Sequence, residues 1–210
     1  MGQEASYLNP PPGKLSRIAR LISSIVNPVV AGIFIAAITA YKAISDPWET
    51  TIWFTFMVLL TLIPPLSYII YLVRTGYLVD IYMPDRQRRV KPIAFIVVWI
   101  LISDVFLSLI GAPEAIGIIL IISIILIGSL LSVTLLWKIS FHTGILTTAA
   151  AVTIFFDAPY AWFVALLVPI VGWSRVRLRR HTTMQVVGGC VAGCLVAILA
   201  DNMLQIYLGL

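Results

Sequence analysis

His142 and His181 are the only two histidines in this 210-residue chain, and each lies in a short polar run flanked by apolar sequence. The richer run is Ser174-Arg175-Val176-Arg177-Leu178-Arg179-Arg180-His181, followed by Thr182-Thr183-Met184-Gln185. Helical spacing puts Gln185 on the same face as His181, where its amide oxygen can accept an imidazole N–H and fix the tautomer. The other histidine follows Ile139-Ser140-Phe141. A third basic run, Asp85-Arg86-Gln87-Arg88-Arg89-Val90-Lys91-Pro92, lies upstream. These residue types suit phosphoryl transfer, which needs cations on the non-bridging oxygens, an in-line nucleophile and an acid for the leaving oxygen. Arg175 offers a planar fork matched to phosphate, and Arg86, Arg89 and Lys91 can add charge. No D-D-x-x-D or similar carboxylate cluster is present to hold a metal, so the expected chemistry uses neither metal nor cofactor.

The elements that must carry these residues are membrane helices. Sixty per cent of the chain is hydrophobic and only 11% is charged. A soluble domain carries about 25% charged residues, so a soluble fold is excluded, along with disorder, collagen and a disulfide scaffold. Seven apolar runs stand out: Ile18 to Ala43 with a kink at Asn27-Pro28, Thr51 to Val73 broken by Pro64-Pro65, Pro92 to Ile110, Ala115 to Trp137, Phe141 to Phe156, Ala158 to Trp173, and Thr182 to Leu208. Backbone groups in lipid must be satisfied internally, so the expectation is an all-α polytopic bundle of six to seven spans. A polar N-terminal segment, 1–16, precedes a single helical domain, 17–210. The pattern Met1-Gly2-Gln3-Glu4-Ala5-Ser6 matches a myristoylation site by chance, and no cleavable signal is visible.

Charge sorts these runs by side. With seven spans, the N-terminus, the stretch 74–91, Lys138 and the stretch 175–180 share one face. Of the 14 basic residues only Lys42 falls on the other, which makes the shared face cytoplasmic. Two runs separate the first basic motif from the second, and two more the second from the third, so all three motifs meet one face. The net charge of +5 therefore reflects topology and anionic ligands rather than nucleic acid.

The motifs resemble those of the type 2 phosphatidic acid phosphatase superfamily. Ser174, Arg175 and His181 match its third signature, S-R-x5-H-x3-D, with Gln185 in place of the acid. Ser140 and His142 match two positions of its second, P-S-G-H. The run ending in Lys91-Pro92 occupies the place of its first, K-x6-R-P, with Pro84 where the lysine would be. The resemblance extends from about Asp80 to Gly193. It implies a core like that of the family and an integral-membrane enzyme hydrolysing a lipid phosphate or diphosphate. His181 would attack phosphorus, giving a phosphohistidine, and His142 would protonate the leaving group. Gln185 would orient His181, while Arg175, Ser140, Ser174, Arg86, Arg89 and Lys91 would bind phosphate. Asp85 is a candidate substitute for the missing acid.

Two other functions compete. One is a lipid-phosphate-binding or scaffold protein that lacks turnover because Gln185 is neutral. The other is a membrane phospho-group or prenyl transferase, a class that wants the absent Asp-rich metal motif. Outside the motifs, Asp104 lies within an apolar run, where an acid is costly and needs a partner. Gly189-x-x-x-Gly193 is a helix-packing motif, and Cys190 and Cys194, one turn apart, read as packing residues.

Overall fold

The computed structural model describes residues 13–79 and 85–208. Among them the backbone forms eight helices and no strand: α1 (Lys14–Ile25), α2 (Pro28–Ala43), α3 (Pro47–Arg74), α4 (Arg86–Leu109), α5 (Glu114–Leu136), α6 (Phe141–Phe155), α7 (Ala161–Arg177) and α8 (Thr183–Leu208). Five stretches are long and apolar enough to cross a membrane: Lys14–Ala43 taken through its joint, Pro47–Arg74, Gln87–Leu109, Glu114–Leu136 and Thr183–Tyr207. The protein is a helical membrane protein. The myristoylation pattern, Pro84 and most of the 1–16 segment fall outside the described residues, and Lys14–Ser16 already belong to α1.

Six to seven spans were expected, and two of the seven runs make shorter helices. α6 and α7 have 15 and 17 residues. At a rise of 1.5 Å they reach about 22 and 26 Å, short of a hydrocarbon core of about 30 Å. They are joined by residues 156–160 and pack on each other as a hairpin. A hairpin returns the chain to the side it left, so the pair leaves the parity of the flanking motifs unchanged.

Asn27 makes the expected joint in the first run. Its Oδ1 accepts the N–H groups of Val29 (2.9 Å) and Val30 (3.0 Å), while Nδ2 donates to the Ser24 carbonyl (2.9 Å). One side chain thus caps the start of α2 and the end of α1, and Pro28 at the first helical position needs no N–H partner.

The break expected at Pro64-Pro65 does not occur, and α3 runs through both prolines for 28 residues. Pro64 has no N–H to give the carbonyl of Leu60. The indole Nε1 of Trp99, from α4, donates to that carbonyl at 2.9 Å. A neighbouring helix therefore replaces one of the two bonds that the prolines remove. α4 also begins earlier than its apolar run, because Asp85 caps it by accepting the Gln87 N–H at 2.9 Å.

Packing divides the chain into two compact units. The first comprises residues 1–35 with 137–201, and the second 36–136 with 202–210. In the second unit α4 packs on α3 and α5 around Met57, Ile100, Leu107, Ile116 and Leu120, a core of aliphatic side chains. In the first unit α7 packs on α1 and α6, and the interior includes Ser16, Ser23, Ser140, Thr143, Thr148, Ser174, Arg175 and His181.

Candidate functional site

The spacing of Arg175 and His181 follows from how α7 ends. Arg179 is left-handed, at φ 54°. The Arg179 N–H bonds to the Val176 carbonyl (2.9 Å), and the Arg180 N–H reaches back to the Arg175 carbonyl (3.0 Å). These two bonds define a Schellman motif. The N–H of His181 closes on the same Arg175 carbonyl at 3.3 Å. The turn thus holds the backbone of His181 against the end of α7 that bears Arg175. Both side chains are buried, Arg175 at 6% exposure and His181 at 5%.

α8 opens immediately afterwards with a capping box. Thr182 Oγ1 accepts the Gln185 N–H at 3.3 Å, and Gln185 Oε1 accepts the Thr182 N–H at 3.2 Å. The same Oε1 lies 3.2 Å from Nδ1 of His181. The backbone N–H can only donate, so the amide atom facing it is the oxygen, not the nitrogen. Facing that oxygen, Nδ1 must carry the proton in the neutral ring, which leaves the lone pair on Nε2. Gln185 therefore sets the tautomer of His181 while it caps a helix.

The second histidine comes from the start of α6. Ser140 caps that helix, its hydroxyl oxygen accepting the Thr143 N–H at 3.4 Å. The Ser140 N–H bonds to the backbone carbonyl of Gln185 at 3.2 Å, and Thr143 Oγ1 donates to the Val186 carbonyl at 3.1 Å. These bonds tie the first turn of α6 to the first turn of α8. Gly189 makes the approach possible, since a Cβ there would meet the Thr143 hydroxyl and would stand 2.6 Å from the Ser140 carbonyl. At Gly193 a Cβ would strike the Gly144 carbonyl. The Gly-x-x-x-Gly notch on α8 thus seats α6 against backbone, as its spacing predicts. His142, half-buried, follows two residues after Ser140. Two helix N-termini lie side by side here, and both favour an anion.

Ser23 completes the neighbourhood. Arg175 Nη1 donates to its hydroxyl oxygen at 2.7 Å, in a pair buried at both ends. The sequence holds no motif for this serine. Its only trace is the small-residue stripe Ser16, Ala19 and Ser23 on the buried face of α1. The Thr182-x-x-Gln185 box was readable as a cap, since Thr and Gln at that spacing are its signature.

The remaining candidates are placed as follows. The Ser174 hydroxyl is fully buried and donates to the Val171 carbonyl at 2.7 Å, so its proton is committed to its own helix. Arg86, Arg89 and Lys91 start α4 in the second unit, and the Arg86 side chain lies outside the described residues. Arg89 is buried there, and Lys91 Nζ stands 5.2 Å from the Tyr77 ring centroid. Asp85 caps α4 and pairs with Arg88 Nε at 3.4 Å, which occupies the acid proposed as a substitute. Asp104 faces α5 at Gly117, where a Cβ would lie 3.4 Å from its Oδ1. Among the described residues no group of three His, Cys, Asp or Glu side chains is gathered as a metal site. No family model, curated protein or solved structure matches the chain.

Proposed function

We propose that this protein is an integral-membrane phosphatase that hydrolyses a lipid phosphate or diphosphate through a phosphohistidine, as a divergent relative of the type 2 phosphatidic acid phosphatases. The observation that carries this reading is the His181 assembly: Nδ1 held by Gln185, the chain held to the Arg175 carbonyl, and α8 tied to the start of α6 that bears His142. In the first step the Nε2 lone pair of His181 forms a bond to phosphorus. The P–O bond to the lipid breaks, and the leaving oxygen takes a proton from the imidazolium of His142. In the second step His142 removes a proton from water, the resulting hydroxide oxygen bonds to phosphorus, and the P–N bond breaks to release inorganic phosphate. Arg175 binds the non-bridging oxygens as their charge reorganises. The lipid enters sideways from the bilayer, and phosphatidate-like and isoprenyl or polyprenyl phosphates are the candidate substrates. The motif face is assigned to the cytoplasm by its basic residues.

The test is phosphate release from a panel of lipid phosphates by the purified protein, with and without EDTA, followed by an alkaline detergent quench to trap labelled protein. Chelator-resistant turnover with acid-labile, base-stable label on His181 is expected. A second reading, a lipid-phosphate-binding protein without turnover, is favoured by the neutral Gln185, which cannot stabilise a cationic phosphohistidine as a carboxylate would. Saturable binding with no release and no label would select it.

A further inference from the structure

We propose that α1 is a surface strap that lies on anionic lipid headgroups and, through Ser23, holds Arg175 in its phosphate-binding position. Its twelve residues divide into three sectors. Ser16, Ala19 and Ser23 are buried in the unit, and α1 packs on α7. Leu15, Ile18, Leu21 and Ile25 form an exposed apolar stripe at helical spacing. Arg17 and Arg20 are exposed along the stripe's other edge, Lys14 stands at the stripe's N-terminal end, and the helix contains no acid. An exposed apolar stripe flanked only by cations fits the boundary between headgroups and acyl chains of an anionic bilayer. α1 also leads through Asn27 directly into the apolar helix α2, so the stripe is continuous with the rest of the Lys14–Ala43 stretch.

The connection to the site runs through the Ser23 side chain. The Ser23 hydroxyl is the acceptor for Arg175 Nη1 at 2.7 Å, with Ser23 only 4% exposed. An arginine carries several soft torsions, and a buried charge-assisted bond removes much of that freedom before ligand arrives. Seating α1 on lipid fixes Ser23, and Ser23 fixes the fork. This inference rests on the proposed role of Arg175 in binding phosphate, but the placement of α1 stands apart from it.

The experiment uses the full chain in vesicles of phosphatidylcholine, with or without phosphatidylglycerol. An environment-sensitive dye at Ile18→Cys, with Cys190 and Cys194 changed to Ala, reads the seating of α1. Binding of labelled inorganic phosphate reads the site. A blue-shifted dye is expected with phosphatidylglycerol, reversed by salt and lost in Arg17→Gln/Arg20→Gln. Ser23→Ala should weaken phosphate binding about tenfold, and Ser23→Thr should restore it. The Arg17→Gln/Arg20→Gln pair should weaken it similarly, and the combination with Ser23→Ala should be no worse than either alone. Additive losses would overturn the coupling. A dye signal indifferent to lipid charge, or one that follows protein-to-lipid ratio as for contact with a second copy, would overturn the surface assignment. A parent chain that binds no phosphate would sink the proposed function and with it the coupling, while the dye would still report on α1.

Discussion

The two units hold themselves together by different means. The second packs Ile, Leu and Met side chains between helices, and its turns after α3 and α4 use Gly76 and Gly111 at positive φ. The first joins helices through hydroxyls and bare backbone, with Thr148 Oγ1 donating to the Gly193 carbonyl at 3.0 Å. It closes the same kind of turn after α6 and α7 with Asp157 and Arg179, at φ 48° and 54°. Aliphatic packing tolerates small shifts, because each contact is weak and many share the load. Hydrogen bonds to backbone at a glycine notch tolerate less, because each is directional and weakens as its angle or length departs from the optimum. The unit that carries the candidate site is thus the one built for position rather than tolerance.

The largest expected effect separates chemistry from position. His181 is buried, not merely at a helix start, so alanine there would leave a void as well as remove a nucleophile. His181→Asn keeps a donor for Gln185 Oε1 and removes Nε2. Turnover should fall at least about a thousandfold with thermal stability little changed, as read by parallel phosphate-release and melting assays. An active, well-folded Asn variant would remove the site from this unit.

Glycine substitutions break the comparison next. Gly189→Ala should destabilise the protein by about 3 kcal/mol, since the added methyl meets Thr143 and the Ser140 carbonyl. Gly117→Ala in the second unit meets only the end of Asp104, and should stay within about 1 kcal/mol of the parent. Unfolding in mixed micelles measures both, and equal costs would erase the distinction between the units.

Gln185→Glu keeps the capping box and adds a charge beside His181. The carboxylate favours the imidazolium, so the acidic, rising limb of the pH–rate profile should move to higher pH. Above that limb turnover should increase, because the cationic phosphohistidine gains a partner. Gln185→Ala should lower turnover and also cost about 1 kcal/mol through the lost cap. An unchanged pH profile in the Glu variant would leave Gln185 as a cap alone.

The smallest effect is a gain. Arg179→Gly should stabilise the protein by about 1 kcal/mol, because glycine takes a left-handed backbone without steric cost. Melting temperature checks it. A loss would mean that the Arg179 side chain contributes more than its backbone costs.

Much of this was legible in the chain. Long apolar runs fixed the helices, because lipid permits little else, and the Arg175–His181 spacing pointed to one turn that holds both residues. Gln185 was placed behind His181 by helical periodicity, which the backbone obeys from Thr183 onward. What escaped depends on partners distant in sequence. Ser23 is 152 residues from Arg175, and no local pattern links a serine on α1 to an arginine on α7. The start of α4 escaped for another reason: its first turn is charged, so hydrophobicity hides a helix that Asp85 begins.

The Trp99–Leu60 bond carries a consequence for biogenesis. Leu60 is synthesised 39 residues before Trp99, so α3 enters the bilayer with a carbonyl its own backbone cannot satisfy. In hydrocarbon that carbonyl must be met by water or by bending at the prolines. Only when α4 arrives does the indole take over. A hydrogen bond of an early span is thus supplied by a later one, which makes the α3–α4 pair, rather than α3 alone, the unit that reaches its final form.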